Sequence, residues 1–443
     1  MGSSVRELAE ATPDTRDRYV DLLRVASLGT VVLGHWLMAA VTADGVGNLL
    51  AVVPQLQPLT WALQIMPVFF FVGGFSHALS YRSLSRRRPE GSVYALFLRA
   101  RLRRLLRPTM VFIAVWGAAA LTIQFLGGGG GLTEVTLRLV TQPLWFIGVY
   151  LAMAACTPPL LKLHERHGWA AFGALAGGAV AVDVLRFAFG VAYVEFLNFA
   201  FVWLAVHQLG FLRADGRLRF PAALALGGLT GAVALVALGP YPLSMVGMPG
   251  EEVSNMAPPT LALLCHGLWL VGAVELLRAP GTRLVARSRV WRTVVAANGI
   301  AMTAFLWHLT AMLGVYGVLL ATGTSLPAPA TAAWWAQAPL RVVAAAVLTA
   351  LLVAAFRTFE RPSPLSPPAT PAGPGSGPLA ALGITCCLLG VLGLSMVGFG
   401  GLLEGRSAML IAFPVTAPVA VAMALGGWLL VERPGFGTRR TER

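Results

Sequence analysis

Arg24 and His35 stand eleven residues apart in the apolar stretch YVDLLRVASLGTVVLGHWLMAA. In a helix that interval turns through about 1100°, within about 20° of three full turns, so both side chains share one face and Asp21 joins them. The rise between them is roughly 16 Å. With Arg24 at the membrane edge, His35 reaches the middle of a hydrocarbon core roughly 30 Å thick. An ionisable group at that depth is costly and marks a site by default. An imidazole can take a proton from a hydroxyl near neutral pH, or accept an acyl group itself. Arg24 at the boundary can meet a polyanion or simply snorkel to water, and Asp21 is placed to pair with it. A histidine in a bundle also serves as a plain interhelical donor. The spacing predicts a catalytic His35 with Arg24 and Asp21 beside it, and leaves that packing role open.

A second constellation lies in LRARLRRLLRPTM, where Arg101 and Arg104 fall one helical turn apart. Two guanidinium forks so placed can grip one phosphate group, and Pro108 is placed to open the next span. The same arginines also read as topology signals. Further polar residues interrupt apolar stretches. His308, Asp183, Arg186 and Glu195 could line an acceptor pocket, and Asp183 and Arg186 are spaced for an ion pair. Asn198, His207 and Gln208 could add to that lining, although a satisfied packing network accounts for each equally well. His77 and His266 read as structural, and Glu360, between Arg357 and Arg361, as a solvated helix end. Cys156, Cys265, Cys386 and Cys387 have no metal-type spacing, so neither a disulfide nor a metal site is expected.

The elements that must position these residues are membrane helices. Hydrophobic residues make up 57% of the 443 and charged ones 12%, a composition foreign to soluble domains. Twelve apolar stretches, from 20–42 to 408–430, have spanning length; the third is read at 108–126 and the ninth at 294–320. The fold class is therefore an all-α polytopic membrane protein. The net charge of +14 does not indicate nucleic acid. With both termini cytoplasmic, of the arginines only Arg138, Arg186, Arg341 and Arg406 fall outside, and Lys162 falls inside, a strong positive-inside pattern. Residues 1–19 form a cytoplasmic segment and 20–360 a ten-helix core. A Pro/Gly/Ser linker follows at 361–378, then an accessory hairpin at 379–430 and a cytoplasmic tail at 431–443. The glycine run 127–131 reads as a flexible outer connection. The loop GPYPLSMVGMPGEEVSNMAPP is particular enough to cover or line a cavity. A twelve-helix proton-coupled transporter is the competing reading, weakened by the lack of duplicated halves.

In the order RYVDLLRVASLGTVVLGHW, PVFFFVGGFSHALSY, RLRRLLRP, PLWFIGVYL, LNFAFVWLAVHQLGFLRADG and FLWHLTAM, the chain resembles the acyltransferase-3 family of integral membrane acyltransferases over about 18–360. The Arg24/His35 spacing and the Arg101/Arg104 pair carry the resemblance most specifically. The two C-terminal spans depart from it. The resemblance implies transfer of an acyl group, often acetyl, from cytoplasmic acyl-CoA to a hydroxyl of a glycan, lipid or secondary metabolite. Acyl-CoA would then be a co-substrate, with no bound cofactor. Arg101, Arg104 and Arg24 would hold the CoA phosphates, His35 would act as general base or acyl relay, and His308 would line the acceptor pocket. The expected setting is the cell membrane, with the lipid bilayer as partner.

Overall fold

Backbone polar groups in lipid must bond to one another, which within a single apolar segment only a helix achieves. The computed structural model accordingly shows helices along all twelve apolar stretches; it describes residues 5–13, 15–42, 45–87, 93–128, 131–248, 250–360, 376–411 and 413–432. The helices are α1 (Arg18–Met38), α2 (Met66–Arg87), α3 (Val93–Phe125), α4 (Pro143–His167), α5 (Trp169–Phe187), α6 (Asn198–Ala214), α7 (Pro221–Leu238), α8 (Leu261–Leu276), α9 (Ala301–Ala321), α10 (Ala332–Phe356), α11 (Ser376–Val397) and α12 (Ala417–Glu432). Among the described residues ten helices are long and apolar enough to cross a membrane, or eleven if α8 and the helix Arg278–Ala286, bent by 53°, form one span. The molecule is an all-α polytopic membrane protein. Most of the expected linker (361–375), the tail from 433 and Gly129 and Gly130 of the glycine run lie outside the described residues.

Several boundaries differ from the sequence reading. α1 stops at Met38 instead of reaching residue 42, because the chain turns into a small antiparallel hairpin, β1 (Ala39–Val41) with β2 (Val46–Asn48). Ala39, Ala40 and Val41 are buried, so this non-helical backbone is covered by protein, as a membrane segment requires. His35 therefore sits in the last turn of its helix and not midway. α3 begins at Val93 and runs unbroken through Pro108, so Arg101 and Arg104 belong to the spanning helix itself. The ninth stretch divides at Gly299–Ile300 into the amphipathic helix Ser288–Asn298 and α9. The last stretch opens with β3 (Ser407–Leu410) and β4 (Phe413–Thr416), and α12 starts only at Ala417, where Pro418 fits a first helical turn.

The chain divides into two compact units, Met1–Ser76 with Leu161–Val353 and His77–Leu160 with Ala354–Arg443. In the first, α1 is anchored at its start. Asp17 caps it by accepting from the Val20 N–H at 3.3 Å, and Tyr19 donates to the Val274 carbonyl at 2.6 Å. Leu22 and Val25 pack on the cluster of Ala9, Trp291 and Val294. Gly74 and Gly210 let α2 and α6 touch backbone to backbone, since a Cβ at either would collide with the other helix, the small-residue contact common in membranes. In the second unit, α11 and α12 pack in the same manner at Gly390 and Gly427.

Candidate functional site

In the first unit, the stripe drawn by α1 meets α9. His35 lies in the last turn of α1 and His308 in the second turn of α9, and the rings stack with centroids 5.0 Å apart and planes 10° apart. Nδ1 of His35 and Nε2 of His308 are 2.8 Å apart, and Nδ1 of His308 is 2.5 Å from the Phe305 carbonyl. A carbonyl can only accept, so Nδ1 of His308 carries a proton and donates to it. A neutral His308 then has its lone pair on Nε2 and accepts from the Nδ1–H of His35. A neutral His35 is left with an unprotonated Nε2. Three groups in series thus fix which nitrogen of His35 is basic, the role that carboxylates and carbonyls commonly play for histidines. Trp36 ties the same two helices by donating from Nε1 to the His308 carbonyl at 3.1 Å. His308 is fully buried while His35 keeps partial exposure.

The other end of the α1 stripe is a charge cluster. Asp21 is buried and accepts from Arg16 at 2.5 and 3.0 Å and from Arg24 at 3.1 Å. Arg24 also donates from Nη2 to Ser76 Oγ at 2.9 Å, so both its terminal nitrogens are engaged. Arg16, outside the spanning helix, has its pKa raised by the hydrogen bond to Asp21. Spacing identified the Asp21–Arg24 pair but not Arg16, which reaches back from the preceding bend. Nearby, Arg213 donates to Glu275 and to Asp17, each at 3.0 Å.

The proposed acceptor-pocket residues do not fall into one group. His308 is with His35. Asp183 instead receives three bonds, from Asn198 Nδ2 at 2.8 Å, the Tyr241 hydroxyl at 2.9 Å and the Leu261 N–H at 2.8 Å. It joins α5, α6, the 239–260 loop and the start of α8. The expected partner, Arg186, lies over the Phe187 ring, 4.9 Å from its centroid. Glu195 sits in the short turn Val194–Leu197 before α6. The 239–260 loop is pinned and not free-standing: Trp61 donates to the Leu243 carbonyl at 2.8 Å, and the Met245 N–H donates to Thr60 Oγ1 at 2.9 Å. His266 donates to the Trp61 carbonyl at 2.8 Å, and Gln208 donates to the Gly168 carbonyl at 3.1 Å, so both serve packing.

In the second unit, Arg104 stands 3.7 Å from Glu360. Glu360 is 2% exposed, which corrects its reading as a solvated helix end: a carboxylate so buried needs a cation, and Arg104 supplies one. Arg103 and Arg107 approach Glu432 at the end of α12, at 3.7 and 3.5 Å, and Arg99 donates to the Val431 carbonyl at 3.0 Å. The arginine face thus has partners in the C-terminal helix, which nothing in the composition of that helix suggested. His77, read as structural, bonds Tyr150 at 3.0 Å and Thr157 at 3.3 Å.

Against known proteins, a family model described as an acyltransferase domain, that of acyltransferase-3, matches residues 17–358. Neither the curated proteins nor the solved structures gave a match.

Proposed function

Because this chain belongs to the acyltransferase-3 family, we propose that it moves an acyl group, acetyl first among them, from cytoplasmic acyl-CoA to a hydroxyl of a glycan, glycolipid or secondary metabolite. The family match favours this over the transporter reading, and the chain is a membrane acyltransferase in general terms. The observation that carries the finer reading is the Phe305–His308–His35 series, which leaves Nε2 of His35 basic. In the reaction, the acceptor oxygen attacks the thioester carbonyl carbon while Nε2 of His35 takes the hydroxyl proton. The C–S bond then breaks, and the proton passes from His35 to the departing thiolate, restoring the neutral ring. The same lone pair can instead attack the thioester and form an acyl-histidine; the base role needs fewer steps. Such a base contributes about 10²–10⁴ in rate.

His308 is assigned here as the group that positions His35. Arg24, engaged by Asp21 and Ser76, places fixed positive charge at the far end of the α1 stripe. Arg101 and Arg104 are assigned to the phosphates of CoA, a polyanion that guanidinium forks suit. The charge pattern supports a cell-membrane protein with both termini cytoplasmic. Radiolabelled acetyl-CoA given to membranes containing the protein tests the whole reading. Label is expected as a base-labile ester in a glycan, lipid or metabolite fraction; no label in any of them would overturn it.

A further inference from the structure

One arginine is buried within a spanning helix, well away from the charge cluster around Asp21. Arg341, on α10, is 8% exposed. Its Nη2 donates to the Trp334 carbonyl at 2.7 Å, and its guanidinium carbon lies 4.6 Å from the Trp334 ring centroid and 5.8 Å from that of Tyr316. Its Nη1 finds no hydrogen-bond partner among the described residues. The arginines around Asp21 have carboxylates; Arg341 is met by the carbonyl and ring of Trp334 and by the ring and hydroxyl of Tyr316. A guanidinium held inside a membrane protein with a donor left over is expensive, and such groups mark ligand sites.

The place of this donor gives it meaning. Arg341 lines a small cleft with Trp36, Met312, Val315, Tyr316 and Ala345. Trp36 adjoins His35 in the chain. Met312 and Tyr316 follow His308 by one and two turns on the same face of α9, about 6 and 12 Å along its axis. The cleft therefore lies one to two turns along α9 from the histidine pair, and by the charge pattern it lies toward the outer side. We propose that Arg341 is the anion-recognising residue of the acceptor site, so that the acceptor carries an oxyanion (carboxylate, phosphate or sulfate) near the hydroxyl that is acylated. The proposal rests on the acyltransferase reading and narrows its substrate class. A planar guanidinium with an unused N–H takes such a group through charge-assisted hydrogen bonds, and the indole and phenol walls suit a flat apolar ring face. The occupant could also be the phosphate of a lipid headgroup, which the test separates.

Purified full-length protein in phosphatidylcholine nanodiscs, with no acyl donor present, is titrated with octyl β-D-glucuronide and octyl β-D-glucoside. The glucuronide is expected to bind about tenfold tighter or better, the scale of one desolvated charge pair. Arg341→Gln should erase that preference and leave the glucoside affinity unchanged. Should the Gln variant fail to accumulate, Arg341→Lys keeps the charge, loses the fork and should weaken glucuronide binding alone. Equal affinities in the wild type, or a preference that survives both variants, would overturn the proposal. So would a preference abolished by phosphatidylglycerol in the nanodisc, which would assign Arg341 to lipid. Binding is read without turnover, so anion preference in a protein that transfers no acetyl would sink the acyltransferase reading alone.

Discussion

Replacing His308 tests whether the base is set by its neighbour. In His308→Phe the ring volume stays close to that of the original, but the acceptor for the Nδ1–H of His35, now 2.8 Å away, disappears. A buried donor left without a partner costs about 1–3 kcal/mol. His35 can avoid that cost by turning, which moves Nε2 out of place, or by exchanging tautomer, which puts the proton on Nε2. At 1.36 kcal/mol per tenfold, the rate of acyl transfer should fall by about 10–100-fold, less than the loss of His35 itself. His308→Gln keeps an acceptor oxygen near the position of Nε2, and its rate should stay within about threefold of the wild type, well under one hydrogen bond's worth of barrier. The assay is transfer from radiolabelled acetyl-CoA in membranes, at matched protein abundance and with the donor concentration varied. The apparent KM for the donor should not move in either variant. Equal losses in the Phe and Gln variants would mean that His308 serves packing and that the tautomer argument is wrong.

Other perturbations separate chemistry from structure. Arg101→Ala with Arg104→Ala should raise the apparent KM for acyl-CoA; because Arg104 also faces the buried Glu360, Glu360→Gln should restore abundance lost in that variant without restoring KM, and an unchanged KM would return both arginines to topology. Asp183→Ala leaves three donors without their acceptor, and should lower thermal stability by a few kcal/mol, at about 1–3 per group, while activity per folded molecule holds; a lost activity at full stability would make Asp183 part of the acceptor site. Gly210→Val drives a side chain into the α2 backbone, and should cost about 1–3 kcal/mol or more, read as reduced folded protein in the membrane; normal abundance would show that the close approach is dispensable.

The helical period made much of this site legible. Arg24, Asp21 and His35 share a stripe because eleven and three residues are near-whole numbers of turns, and Asp21 does pair with Arg24. Spacing along one helix says nothing about what a distant helix brings, so the partnership of His35 with His308, 273 residues away, came only from three dimensions. The resemblance of FLWHLTAM marks His308, but as lining of the acceptor pocket and not as the partner of His35. The end of α1 was misjudged because Ala39–Val41 are as apolar as the helix before them, and hydropathy does not register the turn to extended backbone. Glu360 was misread for the converse reason: flanking arginines suggest solvent, yet the carboxylate is enclosed. Arg341 stood out in the sequence only as a positive charge on the less basic side, and its missing partner is a fact of packing.

The most direct measurement is acetyl transfer by His35→Ala at wild-type abundance in the membrane. A fall of about 10²–10⁴-fold is expected, the contribution of a general base, with the protein still folded. Transfer within a few-fold of the wild type would show that His35 is not the base.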